Sequence, residues 1–474
     1  MAYESLLKSD RSQLHRRVAA AIEARERGLI EENAALIAEH LEAAGDLPAA
    51  YAWHMRAGAW SSRRDIAAAL MHWEQACRIA EALPAEDPNL LAMRITPRTL
   101  LCGNAWHVHS DISGVRFGEL RQLCSVAGDK PSLVIGMCGL AMEHLSEGLV
   151  REASGHVSEL MALVESIGDP SLTAGVSFIA NLIKAEAGEW SEVLRWSQKV
   201  IDVTNGDATL GNFITGSPLA LALATRGLAR WALGVSGWRE DFDEAVAMPR
   251  TADPLSQASV IDLKYSWPIT CGALVADDTA LRETSEALTI AESSGDDMAL
   301  AVALEALGFV LVHHDSPADR ERGVTALTQV REMCLSNRFS LSELPLVDVY
   351  IAREMARRGD HDGAITLMRT ATDALCSAGQ LLSFGISATC VLVETLLERG
   401  GEDDVAEAQA AVDRLAREPG DDMGIRNITL LRLRALLARA RSDDVVYRDL
   451  AQRYRATATE RGFEGHIAWA EAMP

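Results

Sequence analysis

The sequence holds several residues able to do chemistry, but few stand at the spacings that chemistry requires. His313-His314-Asp315 is the most metal-like cluster. A helix turns adjacent side chains apart, and no further ligand follows one turn later, so a solvated turn is expected there. His107-Val108-His109 with Asp111 would present two imidazoles on one face if extended, yet a zinc ion would still need a third ligand. His361, between Asp360 and Asp362, reads as a polar turn and cap before it reads as a general base. A catalytic nucleophile needs an activating base and an oxyanion site. Gly-x-Ser-x-Gly is absent; Ser154 falls in a helical stretch, and Ser217, just before Pro218, is expected to cap a helix. Cys77, Cys102, Cys124, Cys138, Cys271, Cys334, Cys376 and Cys390 contain no C-x-x-C pair, so buried reduced thiols are expected. No catalytic residue, cofactor or metal is therefore expected.

The tryptophans offer a different chemistry. Trp53, Trp60, Trp73, Trp190, Trp196, Trp231, Trp238 and Trp267 cluster toward the first half of the chain, all before residue 268. Indoles often anchor partners at interfaces, and they equally fill space between packed helices. Packing is the commoner use; a partner- or ligand-facing surface on the concave side of a repeat array is the alternative.

These residues must be positioned by helices. The chain has 474 residues, 48% of them hydrophobic but only 5% aromatic. Ala, Leu, Glu and Arg dominate, all strong helix formers. Turn signals recur at Gly128, Gly168, Gly206, Asp253, Gly295, Asn337, Gly379, Gly420 and Gly462, at intervals scattering around ~42 residues. A second series (Gly148, Gly188, Gly234, Asp277, Asp315, Gly359, Gly400 and Ser442) falls between them. Each interval thus holds two helical segments. Leu344, Val347, Ile351 and Met355 show the helical spacing, as do Ala364, Met368, Ala371 and Leu375. Such stripes can be buried only against the next pair. The expected fold is all-α, a TPR-like right-handed α-solenoid of tandem helix pairs with a period of about 42 residues. Residues 31–474 form the superhelical repeat domain, and residues 1–30 a basic opening junction. Residues 84–113, with Pro84, Pro88 and Pro97, read as a helix pair with a long inner loop.

The formal net charge of −23 disfavours nucleic acid and anionic membranes. The opening residues carry no apolar signal region, and the longest apolar run, Leu133 to Met142, is far below the roughly 20 residues of a membrane span. A cytoplasmic protein is expected, since scattered unpaired thiols suit a reducing compartment.

Ala2-Tyr3-Glu4-Ser5-Leu6-Leu7-Lys8, followed by Leu14-His15-Arg16-Arg17, resembles the junction between ATPase and helical repeats in large bacterial, actinobacterial-type, signalling proteins. Those proteins join a class III adenylate/guanylate cyclase domain to a STAND ATPase and a C-terminal TPR-like superhelix. The segment Ala38-Glu39-His40-Leu41-Glu42-Ala43-Ala44-Gly45 is similar to their first repeat helix, and the likeness is closest at Ser342-Glu343-Leu344-Pro345-Leu346-Val347-Asp348 and Gly462-Phe463-Glu464-Gly465-His466. The Walker A phosphate loop of that family is missing, for Gly128-Asp129-Lys130-Pro131 lacks its pattern, and the paired cyclase aspartates cannot be placed. The resemblance therefore implies the repeat region alone, as a separate reading frame or a truncated piece of a larger protein. It implies a non-catalytic interaction or sensor scaffold regulating an ATPase or cyclase partner, in cis or in trans. The alternatives are a receptor holding a small-molecule effector inside the superhelix, and a non-functional fragment.

Overall fold

The computed structural model describes residues 8–25, 30–62, 64–104, 106, 113–248, 253–337 and 340–473. Among them there are helices and no strand. The opening motif at residues 2–7, the His107-Val108-His109 run and Asp111 lie outside the described residues.

The helices gather into two units. The first comprises Met1–Glu143 with Ala162–Ile167. It contains α1 (Lys8–Arg25), α2 (Ala34–Ala43), α3 (Leu47–Ser61), α4 (Ile66–Ala82), α5 (Leu90–Asn104), α6 (Ser113–Ala127) and most of α7 (Lys130–Ser146). The second comprises His144–Met161 with Gly168–Pro474. After the N-terminal part of α8 (Val150–Ile167) it runs through α9 (Pro170–Glu186), α10 (Trp190–Thr204), α11 (Pro218–Leu233), α12 (Trp238–Ala247), α13 (Pro254–Thr270), α14 (Asp278–Ser294), α15 (Asp297–His313) and α16 (Pro317–Asn337). It ends with α17 (Leu344–Arg357), α18 (His361–Ala378), α19 (Phe384–Arg399), α20 (Asp404–Arg417), α21 (Gly424–Ala440), α22 (Asp444–Arg461) and α23 (Glu464–Ala472). No helix among the described residues is long and apolar enough to cross a membrane.

Local chemistry sets the boundaries. Asp169, Asp253, Asp277 and Asp360 each accept a hydrogen bond from a backbone N–H three residues on, at 2.8–2.9 Å, and so cap α9, α13, α14 and α18. Ser316 caps α16 more loosely, its Oγ 3.4 Å from the Asp319 N–H. Ser217 departs from expectation: it precedes α11, but its side chain makes no capping bond. Pro218 at the first helical position needs no N–H partner, so less is left there to cap. Gly295 ends α14 in the left-handed conformation, with φ +72°.

In the first unit α1 packs on the next pair through Ala19, against Ala34, Ile37 and Trp53. The basic opening helix is thus part of that unit's core. The proline-rich stretch forms α5 around Pro97, and α5 and α6 meet through Ile95, Cys102, Leu120 and Cys124.

In the second unit the first helices of successive pairs, α9, α11, α13, α15, α17, α19 and α21, touch one another in turn. They are the inner helices, apolar nearly all round, as in the buried run Ala303 to Val312 of α15. The second helix of a pair buries one stripe, such as Ala364, Met368, Ala371 and Leu375 of α18. The starts of α15, α17, α19 and α21 at Asp297, Leu344, Phe384 and Gly424 keep a spacing near ~42 residues. This is a tandem helix-pair solenoid of the TPR-like kind. The array of the second unit also folds back on itself. Trp190 Nε1 donates to the Leu382 carbonyl at 3.0 Å, Arg461 to the Gly234 carbonyl at 3.0 Å, and the His466 N–H to the Gly272 carbonyl at 2.8 Å. Gly188 makes the first of these approaches possible: at φ +74° it stands so near Leu382 that a Cβ would lie 2.7 Å from the Leu382 Cβ.

Candidate functional site

Four carboxyl side chains on or beside the inner helices of the second unit feel one another's charge. Glu186 is the last residue of α9, Asp262 sits midway along α13, Glu305 midway along α15, and Glu343 immediately precedes α17. Glu186 is only 1% exposed and Glu305 7%, while Asp262 and Glu343 keep partial contact with solvent. The loop after α18 locks the group in place. Gln380 Nε2 donates to Glu186 Oε2 at 3.0 Å and to the Ser342 carbonyl at 3.2 Å. Ser383 Oγ donates to the Glu186 carbonyl at 2.6 Å. Glu305 and Glu343 hydrogen-bond each other, and Ser266 Oγ donates to Asp262 at 2.5 Å.

The electrostatics of this group are unusual for this protein. Elsewhere its buried acids are matched by arginine. Asp241 accepts from Arg226 (2.6 and 3.0 Å) and Arg230 (2.8 Å), Asp404 from Arg399 (2.5 and 3.0 Å), and Glu354 from Arg357. Burial alone would raise the carboxyl of Glu394, but the Arg432 charge holds it below the usual range. Among the described residues no arginine or lysine forms an ion pair with Glu186, Asp262, Glu305 or Glu343. Burial, and then the neighbouring carboxylates, push the group upward: Asp262 to about 7, and Glu186 and Glu305 well above the normal carboxylate range. Burial without a facing cation therefore favours the protonated carboxyls over the charged ones. The Ser342 hydroxyl and the Gln380 amide beside the Glu186 carboxyl favour its charged form, against the larger upward push of burial and of Glu343.

Two cavities lie elsewhere. One of about 300 Å³ opens between α11, α12, α13 and α14, with Val260, Ile261 and Ile290 on its apolar wall and Ser217, Arg282 and Glu283 among its polar ones. The other, about 270 Å³, is in the first unit; its Arg98 is paired with Glu81 and Glu119, and its Arg116 with Glu74.

The residues singled out in the sequence take other places. His313 Nδ1 turns back to the Phe309 carbonyl at 2.7 Å, while His314 lies 3.1 Å from Asp319 on α16, so the two rings diverge. Burial pushes His313 down to about 3. His361 opens α18 beside its cap Asp360. Ser154 contacts Glu189 and accepts from Lys184 Nζ at 2.8 Å. That lysine uses its remaining donors on Ser158 (2.8 Å) and Glu189 (2.7 Å), so it has no lone pair with which to activate the serine.

Seven of the eight tryptophans named above are buried: Trp53, Trp73, Trp190, Trp196, Trp231, Trp238 and Trp267. Trp190 packs edge-on to Trp231 and Trp267 at 6.4 and 5.5 Å between ring centroids, and Trp267 meets Phe384 at 4.4 Å. Trp53 lies under the Arg56 guanidinium at 3.8 Å, and Trp238 packs on Phe242 and Phe463. An indole enclosed in this way has no face to offer a partner. Trp60 alone of the eight is half-exposed, with Arg64 4.5 Å above its ring.

The acids were missed at the level of sequence, although a signal was there. Glu305 stands alone in Ala301-Val302-Ala303-Leu304-Glu305-Ala306-Leu307-Gly308-Phe309, and Asp262 in Val260-Ile261-Asp262-Leu263. One acid inside a helix that is apolar all round has to be buried, and a buried acid needs a partner.

No protein-family model matches the chain, and no curated protein does. Solved structures give distant likenesses. A Rap protein complexed with Competence and Sporulation Factor is 9% identical, with 87% of this chain and 99% of that one covered at a TM-score of 0.44. Yeast Tom70 is 14% identical over 96% and 95% of the two chains, at 0.34. A circular tandem repeat protein is 13% identical over 98% and 94%, at 0.14.

Proposed function

We propose that this chain is a non-catalytic interaction and sensor scaffold that acts in the cytoplasm on a signalling partner, a STAND ATPase or a nucleotide cyclase, in cis or in trans. The observation that carries the reading is the unbroken run of inner helices α9, α11, α13, α15, α17, α19 and α21, each touching the next, which carries the buried acids Glu186 and Glu305 without an arginine partner. A ligand or partner that engages this run biases how successive pairs pack, and the change can be read by whatever the array contacts. The opening segment's resemblance points to the ATPase or cyclase as that reader. Eight free thiols fit the reducing compartment.

A second reading, a receptor for a small-molecule effector, is favoured by the same unmatched acids, because a repeat array has no internal need for unmatched buried charge. Capture from native cytosol with the full chain as bait tests the first reading. Recovery of a STAND ATPase or cyclase, reduced by Trp60→Ala or Glu343→Gln in a folded bait, supports it. Failure of a folded bait to recover either protein counts against it and leaves the receptor reading.

A further inference from the structure

The cavity between α11, α12, α13 and α14 measures about 300 Å³, at the small end of the about 300–1,000 Å³ typical of small-ligand sites. Among the described residues six polar side chains line it, and the chain answers four of them. Ser256 donates its hydroxyl to Asp253 at 2.7 Å. Glu283 accepts from Lys264 at 3.0 Å and from the Tyr265 hydroxyl at 2.7 Å. Gln257 and Glu286 have partners too. Ser217 and Arg282 are left over: among the described residues neither side chain has a hydrogen bond or an ion pair. The serine is the more telling of the two. It is only 6% exposed, it lines the cavity, and a buried hydroxyl is stabilised by a partner that this chain does not supply.

The two open groups stand at opposite ends of the cavity. The Gly216 N–H lies 2.6 Å from Asp253 and 3.2 Å from the Ser256 hydroxyl, so α11 starts beside the start of α13. α14 runs antiparallel to α13, since Lys264 and Tyr265 meet Glu283 while Ala258 and Ala291 share one apolar cluster. Arg282 therefore lies far from Ser217, two helical turns from Ile290, or ~12 Å at about 1.5 Å per residue. The wall between the ends is apolar, with Val246 of α12, Val260 and Ile261 of α13, and Ile290 of α14. Arg282 is exposed, so an anion that meets it stays at the water boundary and loses little solvation. Ser217 is interior and suits a neutral oxygen. The first backbone bond of α11 runs from the Leu221 N–H to the Ser217 carbonyl, which leaves the N–H of Ala220, another lining residue, as a further donor at that end.

We propose that this cavity binds a medium-chain carboxylic acid that carries a second, neutral oxygen at its far end, a hydroxy or oxo acid. The carboxylate pairs with Arg282 as a charge-assisted hydrogen bond, the methylenes lie along Val260, Ile261 and Ile290, and the far oxygen meets the Ser217 hydroxyl. The proposal rests on the receptor reading and gives it a site and a ligand class. It does not depend on which protein partner reads the result, and its test reads small-molecule binding alone.

The test is calorimetric titration of the full chain with ω-hydroxyoctanoate, octanoate and octylamine at neutral pH and physiological salt. The expected result is one saturable site for ω-hydroxyoctanoate, with octanoate weaker by about fivefold and octylamine not bound. Arg282→Gln is expected to weaken both acids by about tenfold or more. Ser217→Ala is expected to bring the hydroxy acid down to the affinity of octanoate, and Arg434→Gln, at an exposed arginine of α21, to change nothing. Neither Ser217 nor Arg282 bonds another described side chain, so both variants keep the fold. A net charge of −23 gives acids no diffuse attraction to the chain, so saturable binding reports a local site. Octylamine binding as tightly as the acids overturns the proposal. Acid binding that Arg282→Gln leaves intact overturns this site while the receptor reading stands. Absence of saturable binding by either acid overturns the site as well, and thermal shifts with other metabolite classes then decide the receptor reading by itself.

Discussion

Truncating Trp190 to alanine separates packing tryptophans from partner-facing ones. Trp190 is 1% exposed, packs edge-on against Trp231 and Trp267, and donates its indole N–H to the Leu382 carbonyl. Removing a buried tryptophan costs about 3–5 kcal/mol through lost transfer energy and the cavity left behind. The Leu382 carbonyl, stripped of its donor, adds about 1 kcal/mol. A loss near 5 kcal/mol is comparable with the whole stability of many domains, about 5–15 kcal/mol. Leu382 lies in the loop that carries Gln380, so the variant also loosens the hold on Glu186. Trp190→Phe keeps most of the ring and loses the hydrogen bond, so a smaller loss of about 1–3 kcal/mol is expected. Trp60→Ala, which removes a half-exposed ring under Arg64, costs no more than about 1 kcal/mol. Urea unfolding followed by circular dichroism reads all three, with amide exchange around Leu382 locating the change. The reasoning fails if Trp190→Ala costs under about 1 kcal/mol, or if Trp60→Ala costs as much as it does.

Further consequences concern charge. Asp262, with its carboxyl raised from 3.8 to about 7, keeps its proton in the folded chain after the unfolded chain has lost it. Its contribution to stability is therefore fully present below about pH 4 and is lost as pH rises through about 7; Glu186, Glu305 and Glu343 act in the same direction. His313 and His466, both pushed down to about 3 by burial, act oppositely, and their contribution is lost as pH falls below the ordinary histidine value of 6.5. Between about pH 6.5 and 8 the acids dominate this balance, so the wild-type chain loses about 1 kcal/mol or more from them. Denaturation curves across that range should show a smaller loss in Glu343→Gln; an equal loss contradicts the unmatched-acid account. Asp241→Ala strips a buried carboxylate from two arginines joining α11 and α12 and is expected to cost about 3–5 kcal/mol by the same denaturation assay. A cost below about 1 kcal/mol would show that the pair holds nothing together.

The repeat was legible because its signals are local. Gly168, Gly234, Gly295, Gly379 and Gly462 lie in the turns where the helix ends require them, and the stripe from Ala364 to Leu375 is the buried face of α18. The second unit's closure was not legible. It depends on pairs such as Trp190 with Leu382 and Gly272 with His466, far apart in sequence, and periodicity carries no record of long-range partners. The two units were likewise hidden, because no Gly/Ser linker separates them. The burial of seven of the eight tryptophans was not legible for a related reason: an indole reads the same in sequence whether its neighbours are helices or solvent. The acid site was half-legible. Glu305 in an apolar helix announces a buried charge, but only the fold shows that it feels the charge of Asp262, Glu343 and Glu186 and that no arginine joins them.

The central claim is that the array senses through its inner helices and passes the result to a signalling enzyme. It is tested most directly by adding the full chain to the STAND ATPase or cyclase captured with it, and measuring ATP turnover or cyclic-nucleotide formation with and without the chain. The account predicts a rate change of at least about fivefold that Glu343→Gln abolishes. A partner whose rate is the same with the chain, with the variant and without either would contradict it.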